Sequence, residues 1–227
     1  MVSRLASHLL RLCDRVHSRN WARGLIFVTG HDGRIAELLA EMTVAEKAEL
    51  VTGDGIWTTR AVERLSIPAM TVTDGPNGAR GGGLMGTGTP TACIPAGSVL
   101  GATWDPDLMG ELGGLLADEC GVKGANVLLA PTINLHRNPL GGRNFECYSE
   151  DPVLTGVLAA GFIRGVQSRN VAVTAKHFVA NDSEFERNTI DSQVDERTLR
   201  EVYMLPFEYA VKDGDAWGIM SSYNRIN

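Results

Sequence analysis

The 227-residue chain has no apolar run approaching the ~18 residues that a membrane-crossing helix requires. Neither does an apolar run of signal-peptide length follow its N-terminal arginines. Aromatic residues make up only 6% of the chain, and no basic stretch is interleaved with them. With a net charge of −6, this argues against a nucleic-acid surface. The four cysteines, Cys13, Cys93, Cys120 and Cys147, lack CxxC spacing and have no histidine at zinc-ligand distance. They read as free thiols of a reducing compartment, which makes a cytoplasmic location the expectation. Asn181-Asp182-Ser183 matches a glycosylation acceptor, but the match carries no weight without a secretory context. The glycine-rich run 78–88 lacks both the Walker lysine and the dinucleotide spacing, so it reads as a flexible loop rather than a phosphate cradle.

What is present begins with a charge asymmetry. Within the first thirty residues Arg4, Arg11, Arg15, Arg19 and Arg23 face only Asp14, so residues 1–33 read as a basic, poorly ordered extension on an otherwise acidic chain. From Arg34 onward the pattern becomes regular. Thr43-Val44-Ala45-Glu46 has the form of a capping box within a helical region expected over about 35–51. Asp105-Pro106 and Asp151-Pro152 each place an N-cap before a proline at the first helical position, opening helices over 107–120 and 153–168. Asp195-Glu196 opens a third helical segment running through Ala210. A short β-rich run, 67–73, ends at Asp74. Three near-continuous apolar runs, 125–130, 171–175 and 217–220, lie between the helices, as strands covered on both faces should. Alternating strands and helices predict a parallel sheet or barrel.

The chemistry-bearing residues fall just past these runs: Asp74 after the first, Asn134 and His136 after the second, Lys176 and His177 after the third, Ser222, Tyr223 and Asn224 after the fourth. In a (β/α)8 barrel those ends form the active face. The densest segment is APTINLHRNPLGGRNFECYSEDP, residues 130–152, which holds Arg137, Arg143, Glu146 and Glu150 around a Pro-Leu-Gly-Gly turn. Such convergence suits a ligand rich in hydroxyls or charge.

These segments resemble a known family. TVTDGPNGAR, LLAPTINLHRNPLGGRNFECYSEDP, AKHFVANDSEFERN and GIMSSYNRIN are similar to the successive motifs of glycoside hydrolase family 3, β-glucosidase branch. The resemblance covers residues 34–227. It implies an α/β fold, an incomplete (β/α)8 TIM-type barrel lacking its last strand–helix units. The implied function is retaining hydrolysis of terminal β-D-glucosyl residues, without cofactor or metal. Carried over by position, Asp74 resembles the acid that grips hydroxyls of the terminal sugar. Arg143, Lys176 and His177 resemble groups holding the same ring, and Arg187, Met220 and Tyr223 resemble further residues of that subsite. The N-acetylhexosaminidase branch is disfavoured because Lys176-His177-Phe178 continues into Val179-Ala180-Asn181-Asp182, with no histidine.

The family's nucleophile lies one βα step beyond the Tyr-Asn motif, about 30 residues, and its acid/base comes from a second domain. The 227 residues are therefore expected to bind a β-glucoside or oligosaccharide, with no catalytic residue of their own. Turnover would need a missing C-terminal part or partner chain. Asp151 reads as a helix cap, and Glu146 and Glu150 as partners that orient the neighbouring arginine. Two other readings stay open: a non-catalytic sugar-binding relic, and an aldolase-type barrel forming a Schiff base on Lys176. A metal held by His136 and His177 lacks a third ligand and is not expected.

Overall fold

The computed structural model describes residues 31–81 and 89–227. The basic extension up to residue 30 and most of the glycine-rich run lie outside the described residues. The chain divides into two compact units, with the boundary between Val72 and Thr73.

In the first unit, α1 (His31–Glu41) and α2 (Val44–Leu50) occupy the region expected as one helix. The capping box divides it. Thr43 is extended at φ −68°, its hydroxyl accepts from the Glu46 N–H at 3.2 Å, and its own N–H donates to Glu46 Oε2 at 2.8 Å. That reciprocal pair starts a new helix instead of supporting the old one. Arg64 then holds Glu46 through Nε and Nη2, at 3.1 and 2.9 Å. Ile35, Leu38 and Met42, spaced three and four apart, present one face to Leu50, Val62, Leu65, Ile67 and Met70. The β-rich run 67–73 forms a ladder only at its end, as β1 (Val72–Asp74), while Ile67 makes an isolated antiparallel bridge to Val62.

The second unit is built on a four-stranded sheet in the order β1-β2-β3-β5, with β2 (Val127–Leu129), β3 (Ala172–Phe178) and β5 (Gly218–Ser221). A separate short pair joins β4 (Asp191–Ser192) to β6 (Arg225–Ile226). The β2–β3 and β3–β5 ladders are parallel, with Val127 opposite Ala172 and Thr174 opposite Gly218. Helices fill the crossovers. A short helix α3 (Gly97–Gly101) precedes α4 (Pro106–Val122), and α5 (Pro152–Gln167) follows β2. Asp105 Oδ1 accepts from the N–H groups of Asp107 and Leu108, both at 3.0 Å. Asp151 Oδ1 accepts from Val153 and Leu154 at 2.7 and 2.9 Å. Each cap occupies donors that the first helical turn cannot satisfy internally. A Cβ on Gly165 would overlap the Gly110 carbonyl oxygen, so the backbones of α4 and α5 touch where only glycine fits. Leu116, Leu128, Leu158, Phe162, Ile163 and Val173 fill the space between these helices and the sheet.

The third expected helix is interrupted. It begins as α6 (Glu196–Thr198), widens to a π-helical turn over 199–203 and resumes as α7 (Leu205–Lys212). Pro206 accounts for the change. Proline brings no N–H and its ring crowds the carbonyl four residues back. The chain answers by lengthening one turn, with Met204 N–H bonding to Leu199 O at 2.8 Å. Among the described residues, no helix is long and apolar enough to cross a membrane.

Candidate functional site

Asp74 is the last residue of β1, and Lys176 lies near the end of β3. β2 separates these strands in the sheet, yet Lys176 Nζ donates to Asp74 Oδ1 at 2.7 Å. The lysine side chain is 4% exposed and the aspartate 29%, so the pair is sunk at its cationic end and open at its anionic end. Burial works to raise the Asp74 carboxyl. Lys176, the Gly75 N–H and Arg80 outweigh it and hold the group below the usual carboxylate range. Arg80 Nη2 stands 3.6 Å from Asp74 Oδ2.

Next to this pair, the loop after β2 presents Arg143. Its Nε donates to Glu146 Oε1 at 2.6 Å, and Glu146 Oε2 accepts from the Thr132 hydroxyl at 2.6 Å. Glu146 is buried. Burial alone would raise its carboxyl, but the bonds from Arg143 and Thr132 bring it below its ordinary value. Arg143 Nη1 lies 3.2 Å from His177 Nε2. His177 is fixed from the other side by Asn134, whose Oδ1 accepts from the His177 backbone N–H at 2.9 Å. The Asn134 Nδ2 donates to the His177 carbonyl at 3.0 Å. Burial, then Arg143 and Lys176, push the imidazole down to about 3.

The loop after β3 supplies Arg187, whose guanidinium sits 4.9 Å from the centre of the Tyr223 ring, from the segment after β5. Arg187 Nη1 donates to Glu184 Oε2 at 2.8 Å, and Glu184 Oε1 stands 3.8 Å from Arg143 Nη1. Met220 is paired in register with Lys176 across the β3–β5 ladder. The seven expected residues thus gather as Asp74 with Lys176 and Met220, Arg143 with His177, and Arg187 with Tyr223. Lys176 and His177 in fact lie within β3, just ahead of its last residue Phe178, and not beyond the strand.

A cleft of about 460 Å³ opens beside Asp74, lined also by Arg80, Thr91, Cys93, Phe145 and Glu146. Arg80 was not singled out from the sequence. It stands six residues after Asp74 within the quoted motif, and spacing alone gave no sign that the chain turns back there. Of the two carboxylates expected to orient the arginine, Glu146 does so, while Glu150 is exposed and makes no ion pair among the described residues. His136 is occupied inside its own loop, with Nε2 2.9 Å from the carbonyl oxygens of both Asn144 and Cys147. The two histidines are therefore engaged separately.

Helices packed on a parallel sheet, with charged and amide groups collected at its strand ends, define a TIM-barrel-like α/β protein. Residues 33–227 match the glycosyl hydrolase family 3 N terminal domain, and the chain belongs to that family. It is 56% identical over 193 residues to a β-glucosidase of Rhizobium radiobacter, covering 85% of this chain and 24% of that protein. It is 50% identical over 193 residues to a probable β-glucosidase J of Neosartorya fischeri, covering 85% and 22%. Among solved structures, the β-glucosidase of Kluyveromyces marxianus in complex with glucose superposes with a TM-score of 0.83 at 45% identity, covering 85% of this chain and 23% of that one. β-Glucosidase 3B of Thermotoga neapolitana in complex with α-D-glucose gives 0.81 at 41% identity, covering 86% and 30%. The chain spans about a quarter of the length of the curated relatives it matches.

Proposed function

We propose that this chain is the sugar-gripping part of a β-glucosidase-like retaining glycoside hydrolase acting on terminal β-D-glucosyl residues. Asp74, Arg143, Lys176, His177, Arg187, Met220 and Tyr223 would line the subsite. The observation that carries the reading is the Asp74–Lys176 pair, at 2.7 Å and buried at the lysine. An ionised carboxylate accepts from two sugar hydroxyls through its remaining lone pairs, and charge-assisted bonds of this kind are the strong ones. Lys176 keeps that carboxylate ionised in partial burial, Arg80 adds a donor beside it, and Arg143 adds donors next to His177. Glucose in the Kluyveromyces and Thermotoga structures supports the choice of ligand.

Hydrolysis with retention needs two carboxyl groups about 5–5.5 Å apart, one of them an uncommitted nucleophile. Here Asp74 is paired with Lys176, Glu146 is bonded to Thr132 and Arg143, and Glu184 is bonded to Arg187. Each already serves as a structural or binding acceptor. The nucleophile and the acid/base would come from a further part of the polypeptide or a partner chain. Residues 1–33 would form an extension apart from the barrel part, 34–227, a division supported by the family match beginning at residue 33. Free Cys93, Cys120 and Cys147 support a cytoplasmic setting.

Isothermal calorimetry with glucose and gluconolactone tests the reading. Saturable binding that disappears in Asp74→Ala is expected, together with no aryl-glucoside hydrolysis by the 227-residue chain. Turnover would overturn the division of labour, and absence of binding would overturn the sugar site. The Schiff-base alternative gains no support from an ammonium already paired with a carboxylate. Borohydride should trap no carbonyl compound on Lys176.

A further inference from the structure

Glu184 occupies a place in this arrangement that neither a surface acid nor a nucleophile would. Both of its oxygens are engaged. Oε2 accepts from Arg187 Nη1 at 2.8 Å, while Oε1 accepts from Asn181 Nδ2 at 3.1 Å and faces Arg143 Nη1 at 3.8 Å. Its aliphatic stem is also held. A Cβ built on Gly142 would stand 3.4 Å from both Cβ and Cγ of Glu184, so the stem lies against the backbone of the loop that presents Arg143. The carboxylate therefore contacts one arginine from the loop after β2 and another from its own loop after β3. The second arginine carries the contact on to the Tyr223 ring, after β5.

We propose that Glu184 is a positioning residue of the sugar site. It sets Arg143 and Arg187 in one mutual geometry, and through Arg187 the Tyr223 ring, so that walls from three strand ends meet a pyranose ring as one unit. The proposal rests on the sugar-site reading above. Two guanidinium groups facing one small ligand repel each other, and a carboxylate between them cancels that repulsion while fixing both planes. Asn181, itself buried, aims its amide at the same carboxylate and restrains it from the side away from Arg187.

The test compares wild type, Glu184→Gln, Arg187→Ala and the double variant, by calorimetric titration with D-glucose and by thermal unfolding. Glu184→Gln keeps the shape and removes the charge. It should weaken glucose binding about tenfold, the factor that loss of one charge-assisted contact brings. Arg187→Ala should do the same, and the double variant should bind no more weakly than the worse single one, because residues acting as a unit are not additive. A merely structural role would lower the unfolding temperature and leave the affinity of the folded protein unchanged. Unchanged affinity in Glu184→Gln, or additive losses, overturns the proposal. Absence of glucose binding in the wild type overturns the sugar-site reading instead. Ligand-free NMR then still reads the positioning role. Wild type should show slowed, resolved guanidinium N–H signals for Arg143 and Arg187 that average out in Glu184→Gln, and signals unaffected by the substitution overturn it.

Discussion

Arg143 Nη1 stands 3.2 Å from His177 Nε2, and that contact determines where the imidazole proton sits. A guanidinium has donors only. His177 must therefore accept through Nε2 and carry its single proton on Nδ1, which lies 3.3 Å from Asn134 Oδ1. Asn134 is oriented by the same logic, since its Oδ1 also receives the His177 backbone N–H and its amide nitrogen meets the His177 carbonyl. A protonated imidazole would point an N–H at an arginine.

Acid should therefore unfold the site. His177 is held down at about 3, below its unfolded value of about 6.5. Between those values the unfolded chain binds a proton that the folded chain refuses. The stabilisation is present above about pH 6.5 and is lost as pH falls towards 3. Urea unfolding of wild type and His177→Gln at pH 7, 5 and 4 checks this. The variant should lose less stability on acidification, and parallel curves would count against the assignment.

Asp182 works in the opposite sense. Burial pushes its carboxyl up to about 6, against the opposing effects of the Leu135 N–H, bonded at 2.8 Å, and of Arg137. A folded value above the unfolded one means stabilisation fully present below about pH 3.9 and lost as pH rises through 6. Asp182→Asn keeps an acceptor for Leu135 and has no charge to bury. It should match or exceed wild-type stability at pH 7, and it should remove the part of the pH dependence that lies between 4 and 6. An asparagine variant clearly weaker at pH 7 would sink the idea.

Removing Asp74 should damage more than ligand binding. Asp74→Ala leaves the Lys176 ammonium buried without its carboxylate, costing about 2 kcal/mol, below the usual figure for a buried pair because the aspartate is partly open to water. Asp74→Ala combined with Lys176→Met should regain most of that stability in denaturant titrations while still failing to bind glucose. Recovery of binding along with stability would show that the pair is only structural.

Gly101 connects a helix to the sugar-site loop. A Cβ there would overlap the Tyr148 carbonyl oxygen, and one on Gly97 would overlap that of Glu146. Gly101→Ala should therefore push the 143–148 segment outward, costing about 1–3 kcal/mol by overpacking. It should also weaken glucose binding, although the residue touches no ligand. Thermal unfolding and calorimetry on the same preparation would reveal both effects, and a neutral outcome would mean that the loop yields freely.

Features governed by neighbouring residues were legible in the sequence. Asp105-Pro106 and Asp151-Pro152 announce helix starts because a cap and its N–H partners lie within three residues of each other. The region 35–51 misled because its periodicity continues across Thr43, whereas the capping box beginning there opens a second helix. The third helix, expected to run unbroken through Ala210, is instead widened to a π turn over 199–203 ahead of Pro206, whose missing N–H and ring the helical pattern alone did not weigh. At the site, residue types and strand ends could be read, and so could the pairing of Arg143 with Glu146 three residues on. The meeting of Asp74 and Lys176, 102 residues apart, came only through the family resemblance, which sets both on one sugar ring, and neither the approach of Arg80 nor the double engagement of Glu184 could be read at all. Such contacts are decided by how the sheet stacks its strands, which no local pattern encodes.

β5 closes the order of the four-stranded sheet, and among the described residues only β3 pairs with it there. Its far side is a row of main-chain donors and acceptors, with Ile219 exposed beside it. Such a row does not distinguish a strand of the same polypeptide from one belonging to a neighbouring molecule. Which of the two occupies it becomes a matter of mass action. Dilution favours water at the edge, and a high concentration of the chain favours another copy. Where a further strand of the same polypeptide covers that row no edge remains, and only where none does should association grow with concentration, even with every internal bond of the fold unchanged.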